Sequence, residues 1–552
     1  MRQLTQRCVC AVLCAVLLSA VSASAATERD TVVVGMAQEP DTLGRFSTMS
    51  AARVVENALF TFVAPYTDRW QRQPMLIDRL PTLENGLWRL LPGGRMQATW
   101  HIRRDLTWHD GRPVTALDFR FTYGVLRNPL VPGISQLALN KVEHVLVPNP
   151  QDPYSLIVQW NEPYPFAGSL PFGEQIVLPR HLLVSAYLRD PARLPFHPYW
   201  RAPIGNGPYR FVEWAPGNHI TLEAYPAYLF GRPRIQRLIF RFVLDSTVLQ
   251  AAVMSGDVDV TEISNFGVEQ MIEIERRAPG VATFYTPSLR WERIGFNLDN
   301  AWLRDRLVRR AIALAIDREG IVQAVYGGKY PVAHTWLAPQ HPASHPGVRR
   351  YRYDPGRARA LLAEAGFALG PDGMLRDQEG RRVEMTLVTT AGFSAREQVA
   401  QIIKAQLREV GIDVRLDLRP ASVLIGTIIR RRQFPHMALW STLFSPESTG
   451  YEGFHSSQVP SEANGWEGFN SMGWRNVEND RLLEAVGQEL HEQKRIRLFR
   501  RQQEVFAEDL PALPLYFVPA LTTARKALRG IRPTGLFGSF ITWNAYEWSW
   551  QE

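Results

Sequence analysis

The sequence predicts an α/β fold, and the clearest evidence lies between residues 354 and 441. A buried strand is predicted at 383–390, where β-branched and apolar residues dominate. A helix at 395–410 follows and ends at Gly411, and residues 412–418 then alternate apolar and charged side chains as a second strand. Two strands joined through a helix by short links form a right-handed parallel crossover. Ligands of such sheets bind beyond the carboxyl ends of the strands.

The composition is that of a globular protein with two or three domains. The chain has 552 residues, 45% hydrophobic and 21% charged, which is enough for separate cores. Its formal net charge is +8, but the basic residues are scattered and the densest run, 430–432, is only three arginines long. A nucleic-acid-binding stripe is therefore not predicted.

The first 26 residues have the pattern of a cleaved secretory signal peptide. Arg2 and Arg7 precede an apolar run at 9–21, and small residues follow at 22–25. The apolar run is short for a membrane span. The mature chain is expected to contain no thiol, because all the cysteines of the sequence lie inside this segment: Cys8, Cys10 and Cys14.

The first half of the mature chain alternates strands, turns and capped helices. The β-branched run 31–35 predicts a buried strand that leads into a loop. Residues 100–128 predict a strand, a turn at 109–111 and a helix, with Thr115 as N-cap and Asp118 completing a capping box. His109 beside Asp110 resembles an acid–base pair, but adjacent residues rarely face one another, so the turn is the favoured interpretation.

Further strands and helices are predicted from periodicity. The strands fall at 140–160 as a hairpin, at 205–228 as a second hairpin, at 238–243, at 294–298 and at 515–518. Asn300 is predicted to cap a helix whose apolar stripe runs through 303–315, and Asp317 to cap the next helix. A long helical region is predicted at 480–510.

Several of these segments resemble one family, the extracytoplasmic solute-binding proteins of family 5, which includes the peptide- and nickel-binding receptors of ABC importers. The resemblance is carried by separate motifs along roughly 27–552: the 109–118 stretch HDGRPVTALD, the 205–209 stretch GNGPY, Asn297 with Arg309 and Asp317, Asn476 with Asp480, and the 510–516 stretch LPALPLY. It implies a two-lobed periplasmic-binding-protein fold with an extra inserted subdomain.

The resemblance also implies domain boundaries. Lobe I would take 27–52, 190–285 and 508–552; the inserted subdomain would take 53–189; lobe II would take 286–507. Two crossings between the lobes, near 286–290 and 508–514, would act as hinges, so that the lobes close around a ligand.

The implied function is capture of a peptide or peptide-like solute and its delivery to the permease subunits of an importer, by a monomeric periplasmic protein. Modified peptides, opines, oligosaccharides and metal chelates are the other candidate ligands. A periplasmic hydrolase, and an importer-independent sensor or chaperone of the same fold, are the alternatives. No nucleophile elbow, phosphate loop or zincin motif is found. Prolines at 342 and 346 prevent a helix that would align His341 and His345 as metal ligands. No catalytic residue, cofactor or metal site is therefore predicted.

In peptide-binding members, an aspartate that follows a strand resembling 436–441 holds the free α-amine of the peptide. Here that position falls near Phe444 or Ser445, and the next acid is Glu447. Either Glu447 or Glu39 replaces the aspartate, or the ligand has no free α-amine there, because a buried ammonium needs a charged partner. Stacking surface is expected from Trp440, Phe444 and Trp466, and neutral hydrogen bonds are expected from Gln38, Ser441, Thr442 and Asn470.

The signal peptide gives a direct prediction. Protein exported by its native host should begin at Ala26 or Thr27 and contain no thiol, which intact-mass spectrometry and thiol titration measure. A soluble protein that retains Met1 would contradict it.

Overall fold

The computed structural model describes residues 30–47, 49–131, 139–168, 176–262, 265–536 and 538–551, so the predicted signal peptide lies outside these ranges. The strands within them, in chain order, are β1 (Thr31–Met36), β2 (Trp88–Leu90), β3 (Met96–His101), β4 (Val142–Leu146), β5 (Ser155–Trp160), β6 (Tyr209–Ala215), β7 (His219–Ala224), β8 (Arg237–Phe242), β9 (Val260–Thr261), β10 (Val281–Thr286), β11 (Arg290–Phe296), β12 (Ala368–Leu369), β13 (Leu375–Arg376), β14 (Glu384–Thr390), β15 (Asp413–Arg419), β16 (Met437–Leu443), β17 (Ala512–Phe517), β18 (Ala520–Arg525), β19 (Leu528–Arg529) and β20 (Ser549–Trp550).

The α-helices of the same residues are Ser50–Leu59, Ala116–Arg127, Arg180–Arg189, Ser246–Ser255, Val268–Arg277, Ala301–Arg304, Arg306–Ala315, Arg318–Tyr326, Pro355–Glu364, Ser394–Glu409, Ala421–Val423, Tyr451–Phe454, Val477–Gln488 and Glu492–Asp509.

A seven-stranded sheet forms the first lobe, in the order β10-β18-β9-β1-β8-β7-β6. The alternation of β1 explains its two faces: Val32 and Val34 enter one core, while Val33 packs against another. The second of these cores includes the helices Ser246–Ser255 and Val268–Arg277. The first core continues without a break into a four-stranded sheet, β2-β3-β5-β4, and the helix Ser50–Leu59.

A five-stranded sheet forms the second lobe, in the order β15-β14-β16-β11-β17. β14 runs parallel to β15 and β16, and the helix Ser394–Glu409 connects β14 to β15. The predicted α/β fold and its strand–helix–strand unit are confirmed. Separate apolar clusters cover the two faces of this sheet, one of them built on the helix Arg306–Ala315 and the other on Glu492–Asp509.

Two short crossings join the lobes. β10 passes into β11 through 287–289, and β17 passes into β18 through 518–519. The predicted crossing at 508–514 is wrong in position, because β17 pairs with β11 inside the second sheet. The crossings are hydrogen-bonded to each other: Val518 N donates to Arg290 O at 2.8 Å, and Ser288 Oγ donates to Val518 O at 2.5 Å.

The predicted helix starts are largely confirmed. Thr115 N donates to Asp118 Oδ2 at 2.9 Å in a capping box, and Asn300 Oδ1 accepts from two backbone N–H groups of its helix. The single helix predicted across 303–315 is wrong, because Asp305 interrupts it and caps a second helix by accepting from Leu307 N at 2.8 Å. Asp can end one helix and begin another because its side chain competes for backbone N–H groups.

Arg309 joins the helix Arg306–Ala315 to the end of Glu492–Asp509. Its guanidinium donates to the carbonyl oxygens of Leu303, Arg304, Asp509 and Leu510. The residue is 4% exposed, so those carbonyls have little access to water. This explains structurally why an arginine occupies this place in the motif.

Arg309→Met should therefore lose roughly 3 kcal/mol of stability, because buried carbonyls lose their donors. The midpoint of thermal unfolding, measured by calorimetry, should fall by several degrees. Arg381→Met is the control: its side chain is 61% exposed and forms surface ion pairs, which contribute little. Equal midpoints for the two variants would contradict the assignment.

Candidate functional site

The carboxyl ends of strands from both sheets meet at the crossings. β1, β8, β9 and β10 run in the same direction, and β10 ends where the first crossing begins. β16 is antiparallel to β11, so the end of β16 lies beside the start of β11, where the same crossing finishes. The carboxyl-terminal strand ends of the two sheets therefore border one space between the lobes. Sheets of this class bind ligands at that position.

Charged residues of β11 lie on both faces of the second sheet near this edge. On one face, Glu292 pairs with Arg396, with Nε–Oε1 and Nη2–Oε2 distances of 2.8 and 3.0 Å. Arg396 also donates to Thr390 Oγ1 at 2.9 Å and to Ser441 Oγ at 3.4 Å. This network connects β11, β14 and β16 with the helix Ser394–Glu409. The carboxylate of Glu292 is thereby already paired within the protein.

Arg293 lies on the opposite face. Its guanidinium stands over the rings of Trp291 and Trp440, at 4.5 and 4.2 Å from the ring centroids. Nη1 donates to Thr442 Oγ1 at 2.6 Å, and Nε is buried without a hydrogen-bond partner in the described ranges. Burial lowers the pKa of Arg293 to about 9, and Glu292 opposes that change.

Glu447 is held across the space by the first half of the chain. Its Oε1 accepts from Tyr66 Oη at 2.6 Å and from Arg72 Nε at 3.0 Å, and Arg72 Nη2 completes the ion pair. Both charged side chains are 8% exposed. Tyr66 also belongs to the same apolar cluster as Trp336 of the second lobe. Glu447 thus links the second lobe to the segment that contains Tyr66 and Arg72. Its carboxylate is already hydrogen-bonded within the protein.

The carboxylate of Glu39 is also hydrogen-bonded within the protein, to groups of the first lobe. Its carboxylate accepts from Trp214 Nε1 at 2.8 Å and from Gly217 N at 3.0 Å, which fixes the β6–β7 turn. It borders a cavity of about 650 Å³ together with Arg201 and Phe211. The neighbouring Gln38 is exposed at the edge.

The predicted residues of β16 divide between the core and the edge. Trp440 is buried, and its ring crosses Gly295, where a Cβ atom would come within 2.2 Å of it. Ser441 and Thr442 are partly exposed and accept from arginines of opposite faces. Phe444 packs edge-to-face on Trp336 at 5.0 Å.

Ser445 and Trp466 remain accessible, whereas Asn470 does not. Ser445 is exposed and Trp466 is partly exposed. Asn470 is 0% exposed, and its side-chain amide bonds to backbone groups of Phe454, His455 and Trp474. The amide of Asn470 therefore fixes this loop, and the structure gives no support to the prediction that Asn470 binds a ligand.

Large apolar side chains are exposed at both edges, with exposures between 40% and 72%. On the first lobe they follow β8, and on the second they follow or end β14, β15 and β16: Leu244, Val248, Phe393, Leu418 and Leu443. Exposed apolar side chains at such strand ends are available for contact with a ligand.

The acid–base interpretation of His109 gains no geometric support. His109 Nε2 lies 3.0 Å from Gly207 O, and burial lowers the pKa of His109 to about 4. Asp110 instead pairs with His181 at 2.8 Å. Within the described ranges, no three His, Asp or Glu side chains are placed to hold a metal ion, and no helix is long and apolar enough to cross a membrane.

Sequence reasoning missed Tyr66, Arg72, Arg293 and Arg396. One signal was available: the strand RWERIGF places a glutamate and an arginine on opposite faces of an otherwise buried strand. The pairing of Arg72 with Glu447 gave no signal, because the two residues are 375 positions apart.

Comparisons with known proteins agree with this architecture. The sequence model of bacterial extracellular solute-binding proteins, family 5 (middle), matches residues 93–460. The oligopeptide-binding protein AppA of Bacillus subtilis is 26% identical over 499 residues, which cover 88% of this chain and 86% of AppA.

Two solved structures share the fold. The oligopeptide-binding protein of Thermus thermophilus, complexed with a pentapeptide, is 30% identical with a TM-score of 0.71, covering 95% of this chain and 96% of that one. NikZ of Campylobacter jejuni, in complex with Ni(L-His), is 23% identical with a TM-score of 0.72, covering 94% and 99%. The chain belongs to the bacterial extracellular solute-binding proteins of family 5.

Proposed function

We propose that this chain is the periplasmic receptor of an ABC importer, that it captures a peptide or peptide-like solute between its lobes, and that it delivers the solute to the permease subunits. The observation that carries the proposal is the meeting of the two sheet edges at a pair of crossings, with apolar side chains exposed on both edges. Such an arrangement suits a ligand enclosed by hinge closure. The relatives named oligopeptide-binding proteins support the choice of ligand.

The proposed lobe boundaries follow from sheet membership. Lobe I takes 27–52, 190–285 and 518–552, and lobe II takes 286–517, with 53–189 inserted into lobe I. The protein acts as a monomer and performs no catalysis, in contrast to the hydrolase alternative. An importer-independent sensor would bind the same ligands, so co-purification with permease subunits from detergent-solubilised membranes distinguishes it from the receptor.

The ligand is bound without an acid that anchors its α-amine. Phe444 or Ser445 stands where the resemblance places the aspartate of peptide-binding members, and the carboxylates of Glu39 and Glu447 already accept hydrogen bonds inside the protein. Moving either carboxylate to a ligand ammonium would break those bonds.

Matched pools of pentapeptides with free or N-acetylated amino termini should therefore bind with affinities that agree within about threefold, or roughly 0.7 kcal/mol. Isothermal calorimetry on the mature protein measures both. A hundredfold preference for the free amine, lost in Glu39→Gln or Glu447→Gln, would show that an acid anchors the amine after all. If neither pool binds, the assignment of a peptide ligand is itself contradicted.

Closure should depend on Glu447. The Glu447→Gln variant loses a charge-assisted contact worth roughly 2 kcal/mol that exists only when the halves meet. Without ligand, its radius of gyration from small-angle X-ray scattering should exceed that of the wild type. Glu467→Gln, an exposed change in the same lobe, is the control and should leave the scattering curve unchanged. An unchanged curve for Glu447→Gln would contradict its role in closure.

A further inference from the structure

Arg293 differs from the other buried arginines of the second lobe in what its guanidinium contacts. Arg318 donates to three backbone carbonyls and Arg309 to four. Arg293 is equally buried, at 4% exposure, but its one hydrogen bond among the described residues goes from Nη1 to Thr442 Oγ1. A guanidinium has five N–H donors, so most of its donor capacity is unused.

The charge of Arg293 also lacks a counter-ion. The nearest acid in sequence, Glu292, points to the other face of the sheet and pairs with Arg396. Within the described part of the chain, Arg293 takes part in no ion pair. The two indoles that flank it supply attraction to a cation but no acceptor for its N–H groups. A buried cation in this condition is costly until an anion joins it.

The guanidinium extends toward the space between the lobes. Its direct neighbour across the strands is Trp440, yet it bonds to Thr442, which is two residues closer to the end of β16. Thr442 is partly exposed, and the next residue, Leu443, is 40% exposed at the edge. The indoles of Trp291 and Trp440 hold the guanidinium in place, which suits paired hydrogen bonding to a planar acid group.

We propose that Arg293 binds a carboxylate of the ligand, and that in a peptide this is the C-terminal carboxylate. The inference rests on the proposed peptide-binding function and gives it polarity: the ligand is anchored through its acid end, whereas the carboxylates of Glu39 and Glu447 already accept hydrogen bonds within the protein. Thr442 is a positioning residue, since its hydroxyl accepts from Nη1 and orients the guanidinium.

Three pools of N-acetylated pentapeptides test this by native mass spectrometry of the mature wild-type protein. The first pool lacks Asp and Glu and has a free C-terminal carboxylate. The second has the same sequences with a C-terminal amide. The third has the amide and contains Asp or Glu at one position, so that side-chain carboxylates are separated from the terminal one.

The wild type should retain the first pool at least about tenfold over the second, as expected for a charge-assisted bidentate contact. The third pool should behave like the second. Equal retention of the first and second pools would overturn the inference while leaving the proposed function intact. Preferential retention of the third pool would overturn the terminal assignment and show that the arginine binds side-chain acids. Failure of every pool to bind would overturn both proposals.

Variants then assign the preference to Arg293. Arg293→Gln should reduce the preference for the first pool to about one, and Arg293→Lys should keep part of it, because lysine retains the charge without the planar donor pair. Arg310→Gln is the matched control: its Nε is also buried without a partner, but the residue lies on the helix Arg306–Ala315 and donates to Glu508 O. Preference that survives Arg293→Gln in a folded variant would overturn the inference.

Discussion

The two crossings between the sheets determine where everything else in the binding region can lie. They are three and two residues long between their strands, and the hydrogen bond from Val518 N to Arg290 O joins them. The end of β10 and the start of β18 lie side by side at the crossings. Because β1, β8 and β9 run parallel to β10, their carboxyl ends lie on the same side of the first sheet. The second sheet contributes the ends of β14, β15 and β16. Hinge closure then needs only small rotations at these few residues.

The charges around the space are distributed unevenly. The carboxylates of Glu39, Glu292 and Glu447 each accept hydrogen bonds from protein groups. Among the residues that the structure describes, Arg293 has neither an acid partner nor a full set of acceptors. A ligand that brings a carboxylate therefore supplies what the folded protein lacks, whereas a ligand that brings an ammonium has to displace an existing bond. This asymmetry arises from contacts between elements: Glu292 of β11 pairs with Arg396 of the helix Ser394–Glu409, whereas Arg293 of β11 contacts Thr442 of β16.

Local rules accounted for much of the fold. Capping explained Thr115 and Asn300, and periodicity located β14, the following helix and β15. They failed where tertiary contacts decide: Asp305 splits a helix that its apolar stripe favoured, and β17 joins the second sheet because it pairs with β11. The family resemblance led to Glu447 through its spacing to β16, but its partner Arg72 lies far away in the sequence. Asn470 shows the converse, since a polar residue in a predicted loop serves the backbone of that loop.

Closure of the lobes around a peptide is the central claim, and a distance between the lobes measures it most directly. The cysteines of the sequence fall in the predicted signal peptide, so the mature chain accepts labels at two introduced sites. Arg234 in lobe I and Glu364 in lobe II are exposed. The substitutions Arg234→Cys and Glu364→Cys therefore allow spin labelling for pulsed electron paramagnetic resonance. We expect a broad distribution of distances without ligand, and a shorter and narrower distribution when the N-acetylated pentapeptide pool with free C-termini is added. Identical distributions under saturating peptide would contradict this expectation.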